Sequence, residues 1–298
     1  MNHQTEVLLK TIGEDLDRKV FPSVHDSGLV WPARTVVISQ PPGQEIQNER
    51  QTTAPGAWQT GASRTSSSSG TSGTSSDTRP PGAAASLLGE YQSDGFLAEI
   101  DAVQAAYPGT QVWEVADGFW LYAQSHLLPG LNRPVGFLVG LSLAKRRVRA
   151  WAFWSAGVVG SDWIGPRHTN FPDGSICAFE PRDGTWVFGQ SLVTLLDLYS
   201  VWALRQLHLE RLGRWPGPQA VHFPYERILE VAGDEHCPCG FTGRRYAECC
   251  QPVDLAANRL AIAVNLVCIS SASMRFPPSS IRDFVLYRKF IPSIADLV

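Results

Sequence analysis

No stretch of this chain approaches the ~18 uninterrupted apolar residues that a membrane-spanning helix needs, so no transmembrane segment is expected. The first residues, MNHQTEVLLK, lack the basic flank and long apolar run of a secretory leader, which points to a cytoplasmic protein. An excess of one charge is also missing. The 25 basic and 28 acidic residues leave a net charge of -3, which argues against a nucleic-acid coat. Cysteine is sparse: six in 298 residues do not make a disulfide scaffold. Four of the six crowd into residues 237–250, which reads as a metal site in a reducing compartment. What is present supports a folded protein. With 44% hydrophobic and 18% charged residues a core can form, and at roughly 150 residues per domain the length allows one or two domains.

The chain divides by composition. Residues 1–40 hold one short helix, in which Val7, Leu8, Ile12 and Leu16 fall near one face. Residues 41–86, including SRTSSSSGTSGTSSDTRPPGAAA, are rich in Ser, Thr, Gly and Pro. They bury too little apolar surface to offset their ordering entropy and read as a disordered linker. A globular block spans residues 87–215. It opens with a helix, in which Phe96, Ile100, Val103 and Tyr107 recur at helical spacing before Pro108-Gly109. The runs QVWEVADGFWLYAQS, PVGFLVGLSLA and RVRAWAFWS then read as strands, with hairpin connections at Asp117-Gly118 and at Lys145, Arg146 and Arg147. A long aperiodic segment follows, from Ala156 to about Gly189, and segments of that kind inside a domain are usually functional. A strong helix comes next: Leu192, Leu195, Leu196, Tyr199, Trp202 and Gln206 share a face, Ser191 caps the start, and Gly213 and Pro216 end it. The fold class expected from this order is α+β.

The aperiodic segment contains GPRHTNFPDGSICAFEPRDGTW, residues 165–186. A cysteine acts as a nucleophile where its thiolate forms and where a donor stabilises the oxyanion on the attacked carbonyl. The Asn170 amide is a suitable neutral donor beside Cys177. The wider pattern resembles the active site of ubiquitin-conjugating enzymes. His168-Thr169-Asn170, Gly174-Ser175-Ile176-Cys177, Trp186 and the helix from Ser191 match in order, after a helix and a meander as in that fold. The likeness covers roughly residues 90–212 and is similar to the conjugating domains of bacterial antiviral operons. Thr169 stands where the family has proline, and Asn170 lies one residue nearer the cysteine. The resemblance implies a thioester on Cys177, oxyanion stabilisation or loop holding by Asn170, and a mainly structural His168. It implies as partners a ubiquitin-like protein, an adenylating activating enzyme and an isopeptidase, with the target open. Asp173 and Asp183 are candidates for orienting the incoming amine, and Trp186 is expected to anchor the loop in the core. A papain-like pairing of Cys177 with His168 is disfavoured, because a short local loop rarely brings two such groups together across a cleft.

In CPCGFTGRRYAECC, Cys237, Cys239, Cys249 and Cys250 converge on one ion if the nine residues between the pairs fold back. Four thiolates suit a closed, structural zinc site. The run resembles the SEC-C zinc motif over residues 235–252, with one extra residue at Phe241-Thr242. Arg244, Arg245 and Tyr246 are expected to be exposed on the bridging segment, and His236 to lie at the surface. Residues 253–298 read as a helical extension in which Cys268 belongs to a core. The leading function is therefore cysteine-dependent transfer of a ubiquitin-like protein in a bacterial conjugation or antiviral system. The rival is a non-catalytic adaptor that binds such a protein and recruits a partner through the zinc knuckle.

The composition of residues 41–86 carries its own test. Dilute trypsin is expected to cut first between Arg64 and Arg79 and to leave a stable fragment beginning after the linker. Resistance across that stretch would show that the linker is packed.

Overall fold

Each strand shows its side chains to two faces, and here both faces are covered. The computed structural model of the chain describes residues 3–25, 28–30, 94–130, 134–154, 162–179, 184–221, 223–240, 242–270, 275–288 and 291–294. The expected linker at 41–86, the expected domain start at Leu87, and Asp183 lie outside the described residues. Helix α1 (His3–Asp17) is followed by a hairpin of β1 (Ser23–His25) and β2 (Gly28–Val30), and later by helix α2 (Asp94–Ala106). Strands β3 (Gln111–Val115), β4 (Gly118–Gln124), β5 (Val135–Ser142), β6 (Arg147–Trp154) and β7 (Asp162–Trp163) then pair antiparallel in chain order. Helix α3 (Leu192–Leu212), α4 (Pro224–Glu230), a 3-10 turn (Tyr246–Glu248), α5 (Gln251–Ala256), α6 (Arg259–Ser270) and α7 (Ser279–Tyr287) complete the order. The protein is α+β. No described helix is long and apolar enough to cross a membrane.

Both expected hairpins form. Val115 pairs with Gly118 across the Asp117 turn, and Ser142 pairs with Arg147 across the Lys145-Arg146 turn. Strand β7 has two residues, too few for an alternating pattern to show in the sequence.

Strand β5 is buried at every position, as a strand covered on both faces must be. One face carries Phe119, Leu121, Phe137, Val139 and Ala152, which share a core with Leu9, Ile12 and Leu16 of α1, Val103 of α2 and the inner stripe of α3. The other face carries Trp120, Leu138, Trp151 and Phe153, which meet Ile281 and Phe284 of α7 and Ile294. Helix α7 and Ile294 thus close the second face of the sheet.

Helix α3 follows its sequence signals. Ser191 Oγ accepts the Thr194 N–H, and Gly213 ends the helix at φ +70°, where its N–H reaches Leu209 O. Helix α1 is rotated from the expected face: Val7 is exposed, and Leu9 takes its place in the core. Cys268 of α6 is also exposed rather than part of a core.

Deleting the Phe284 ring empties the contact between α7 and the sheet. Phe284→Ala is expected to lower the unfolding free energy by about 3–5 kcal/mol in a denaturant titration. A loss under ~1 kcal/mol would show that α7 does not close the sheet.

Candidate functional site

Residues 164–179 follow β7 along the side of β6 with little regular structure, so their backbone polar groups need partners from elsewhere. Some come from a short pairing within the loop. Thr169 bridges to Ile176, Asn170 N–H donates to Ser175 O at 2.7 Å, and Cys177 N–H donates to His168 O at 3.0 Å. Ile176 N–H extends the pairing to Ala150 O on β6, at 2.7 Å. Side chains supply the rest. Indole N–H groups of Trp151, Trp163 and Trp202 donate to the carbonyls of Asp173, Gly174 and His168 at 2.8, 3.2 and 2.9 Å. Gln206 Nε2 donates to Arg167 O at 2.5 Å, and Arg275 Nη1 to Thr169 O at 3.3 Å. At Gly174, which sits at φ +63°, a Cβ would lie 2.8 Å from the Trp163 ring, so this turn requires glycine.

This frame sets Cys177. The residue is half-buried at the end of the loop, ahead of α3, and is not in a disulfide. Its sulfur lies within electrostatic range of buried Tyr199. Burial raises the Tyr199 phenol well above its ordinary value, Arg149 draws it back in part, and Cys177 adds a smaller upward push. Asn170 Nδ2 donates to Ser175 Oγ at 3.1 Å and to Ile176 O at 3.0 Å. Both amide hydrogens therefore brace the loop immediately before the cysteine. Asp173 is engaged as well: Oδ1 accepts the Ser175 N–H at 3.0 Å, and Oδ2 lies 3.7 Å from Arg149 Nε. Trp186 is buried, as expected, with its indole N–H on Ser191 O at 2.9 Å.

His168 is buried at φ +52°, a backbone region that non-glycine residues hold only when their surroundings impose it. Its ring lies 3.9 Å, centroid to centroid, from Trp215. Nε2 is 3.0 Å from Gln219 Oε1, an acceptor, so Nε2 carries the proton. Burial, with Arg167 alongside, holds the imidazole well below its ordinary value and keeps it neutral. Its link to Cys177 runs through the backbone, which gives the papain-like pairing no support.

Beside His168 lies a buried ionic network that the sequence did not reveal. Arg167 forms a two-pronged ion pair with Glu235, through Nη1 at 3.0 Å and through Nη2. Gln219 bridges the pair, accepting from Arg167 Nη2 at 2.9 Å and donating to Glu235 Oε2 at 3.2 Å. The Trp215 N–H adds a further donor to Glu235, at 2.8 Å.

Glu235 opens the cysteine segment. Its carbonyl accepts the Tyr246 N–H at 2.9 Å, and Cys237 N–H donates to Arg244 O at 2.8 Å, so the two arms of the segment run side by side. The four sulfurs of Cys237, Cys239, Cys249 and Cys250 lie within 4.8 Å of one another. Cys249 Sγ is 3.9 Å from the sulfurs of both Cys239 and Cys250. Sulfurs on a tetrahedron with metal–sulfur bonds of about 2.3 Å sit about 3.8 Å apart, so the donor set fits one ion with no open position. Burial and hydrogen bonding among the thiols push Cys237 and Cys250 above the usual thiol range, so an ion must displace their protons and acid opposes it. Tyr246 is not exposed as expected: it is fully buried beside the cluster, with its hydroxyl on Asp254 Oδ2 at 2.9 Å. His236 is half-buried and faces Asp17 of α1, with Nε2 3.5 Å from Oδ1.

Comparison with protein-family models, with curated proteins and with solved structures finds no match to this chain.

The thiol geometry has a direct consequence. Protein purified under reducing conditions is expected to carry about one metal ion per chain by elemental analysis, and Cys239→Ser to lose most of it while the sheet's circular dichroism persists. Reduced protein that contains no metal would contradict the site.

Proposed function

We propose that the chain is a ubiquitin-conjugating-like acyltransferase whose nucleophile is Cys177. The observation that supports it most is the placement of Cys177: a half-buried thiol ending a loop that three indoles, an amide and a guanidinium hold by its carbonyls. The order α2, antiparallel meander, loop and α3 suits a ubiquitin-conjugating-like domain. Cys177 thiolate attacks the thioester carbonyl that joins a ubiquitin-like protein to its adenylating activating enzyme. A new carbon–sulfur bond forms, and the enzyme's own thiolate leaves. An amine then attacks the Cys177 thioester, Cys177 departs as thiolate, the amine gives its proton to solvent, and an amide remains. Asn170 holds the loop in the resting state, and serves the oxyanion when one of its two hydrogen bonds is exchanged for it. His168 is structural. The four-cysteine site takes zinc, which suits an all-thiolate set and supplies folding energy rather than chemistry. The setting is a cytoplasmic bacterial conjugation or antiviral system that also holds an isopeptidase.

One observation favours the rival adaptor reading. Both Asn170 amide hydrogens are committed to the loop, which leaves no ready oxyanion donor there.

The two readings part on a non-reducing gel with ATP, the activating enzyme and its modifier. Cys177 is expected to gain a reductant-sensitive adduct, Cys177→Ser a resistant oxyester, and Cys177→Ala none. Asn170→Ala and Asn170→Asp are expected to charge but to discharge to an amine about a hundredfold more slowly, a loss of about 3 kcal/mol in the transition state. An activating enzyme that charges itself and never Cys177 would replace the transferase with the adaptor.

A further inference from the structure

The cysteine cluster and the Cys177 loop are joined by a short buried path. Glu235 lies two residues before the ligand Cys237, and its carboxylate is fully buried. It collects two bonds from Arg167, one from Gln219 and one from the Trp215 backbone. Among the described residues, Glu235 is the ion-pair partner of Arg167. Arg167 is next in the chain to His168, whose carbonyl accepts the Cys177 N–H and whose ring rests on Gln219 and Trp215. Every side chain on this path is buried. A buried pair of this kind loses heavily when one partner shifts, because the remaining charge has no water to take it. The arm that carries Glu235 meets its return arm through Ala247 N–H to Gly233 O, Tyr246 N–H to Glu235 O and Cys237 N–H to Arg244 O, and Gln219 Nε2 donates to His236 O. An ion held by the four thiols would tie that arm at Cys237, two residues from Glu235.

We propose that Glu235 is a positioning residue for the Cys177 loop, coupling occupancy of the four-cysteine site to the loop through Arg167. The role in transfer rests on the reading of Cys177 given above; the coupling itself does not. Contiguous hydrogen-bonded side chains transmit such effects where each end has a second arrangement. Here the ends are an arm that a metal closes and a loop that holds a histidine at positive φ.

Hydrogen exchange of the full chain tests it, comparing zinc-loaded protein with protein stripped by a chelator. In wild type, stripping is expected to speed exchange in residues 166–178 about tenfold, together with residues 235–250, while the middle of α3 stays protected. A metal that merely stabilised the whole fold would, on removal, speed exchange in α3 as much as in the loop, and that result would overturn the proposal. Replacing the ion pair by apolar residues of similar volume, in the double variant Arg167→Met and Glu235→Leu, keeps a packed interior. This variant is expected to bind one zinc and to show no loop response to stripping. A loop response as large as in wild type would also overturn the proposal, as would a wild-type loop that ignores stripping. A coupled loop in a protein that never charges Cys177 would retire the transferase reading and leave the coupling in place.

Discussion

The hydrogen bonds that side chains give to the carbonyls of residues 164–179 are the constraint on which the candidate site depends. An irregular segment packed between a sheet and a helix leaves carbonyls without ladder partners, and a buried unpaired group costs about 1–3 kcal/mol. Trp151 comes from β6, Trp163 from β7, and Trp202 and Gln206 from α3. Each is fixed by its own strand or helix, so the loop inherits the rigidity of the elements around it. Cys177 is thereby held by regular structure although it lies in none.

The same constraint explains why residues so remote in sequence gather here. Arg275 donates to Thr169 O and pairs with Glu226 and Glu230 of α4, with its guanidinium 4.6 Å from the Phe171 ring. Arg167 pairs with Glu235. The loop is therefore clamped by two arginine–carboxylate clusters as well as by indoles. Buried ion pairs of this kind add little net stability over apolar residues of the same shape. Their effect is geometric, since bidentate pairing admits few arrangements.

Much of the frame was legible in the sequence. The stripe and both ends of α3, the Asp117 and Lys145-Arg146 hairpins, buried Trp186 and the convergence of four cysteines all follow from period, turn chemistry and spacing. The misreadings share one cause, since burial is set by partners that local pattern does not show. Tyr246 follows two arginines and reads as surface, yet Asp254 gives its hydroxyl a partner inside. Cys268 sits in an apolar run that reads as core, yet it is exposed on α6. The Arg167–Glu235 pair joins residues far apart in the chain, and no spacing rule reaches that far. Asn170 was recognised by its neighbours, while the use of both its hydrogens required coordinates.

Transfer by the proposed route requires that residue 177 receive the acyl group. Cys177→Lys converts the labile thioester into a stable amide at the same backbone position, so the product survives digestion and mass mapping. With ATP, activating enzyme and modifier, the modifier's C-terminal remnant is expected on Lys at position 177 in the variant, with no other site modified in proportion. A remnant confined to other lysines, or no adduct with an activating enzyme that has charged itself, would contradict it.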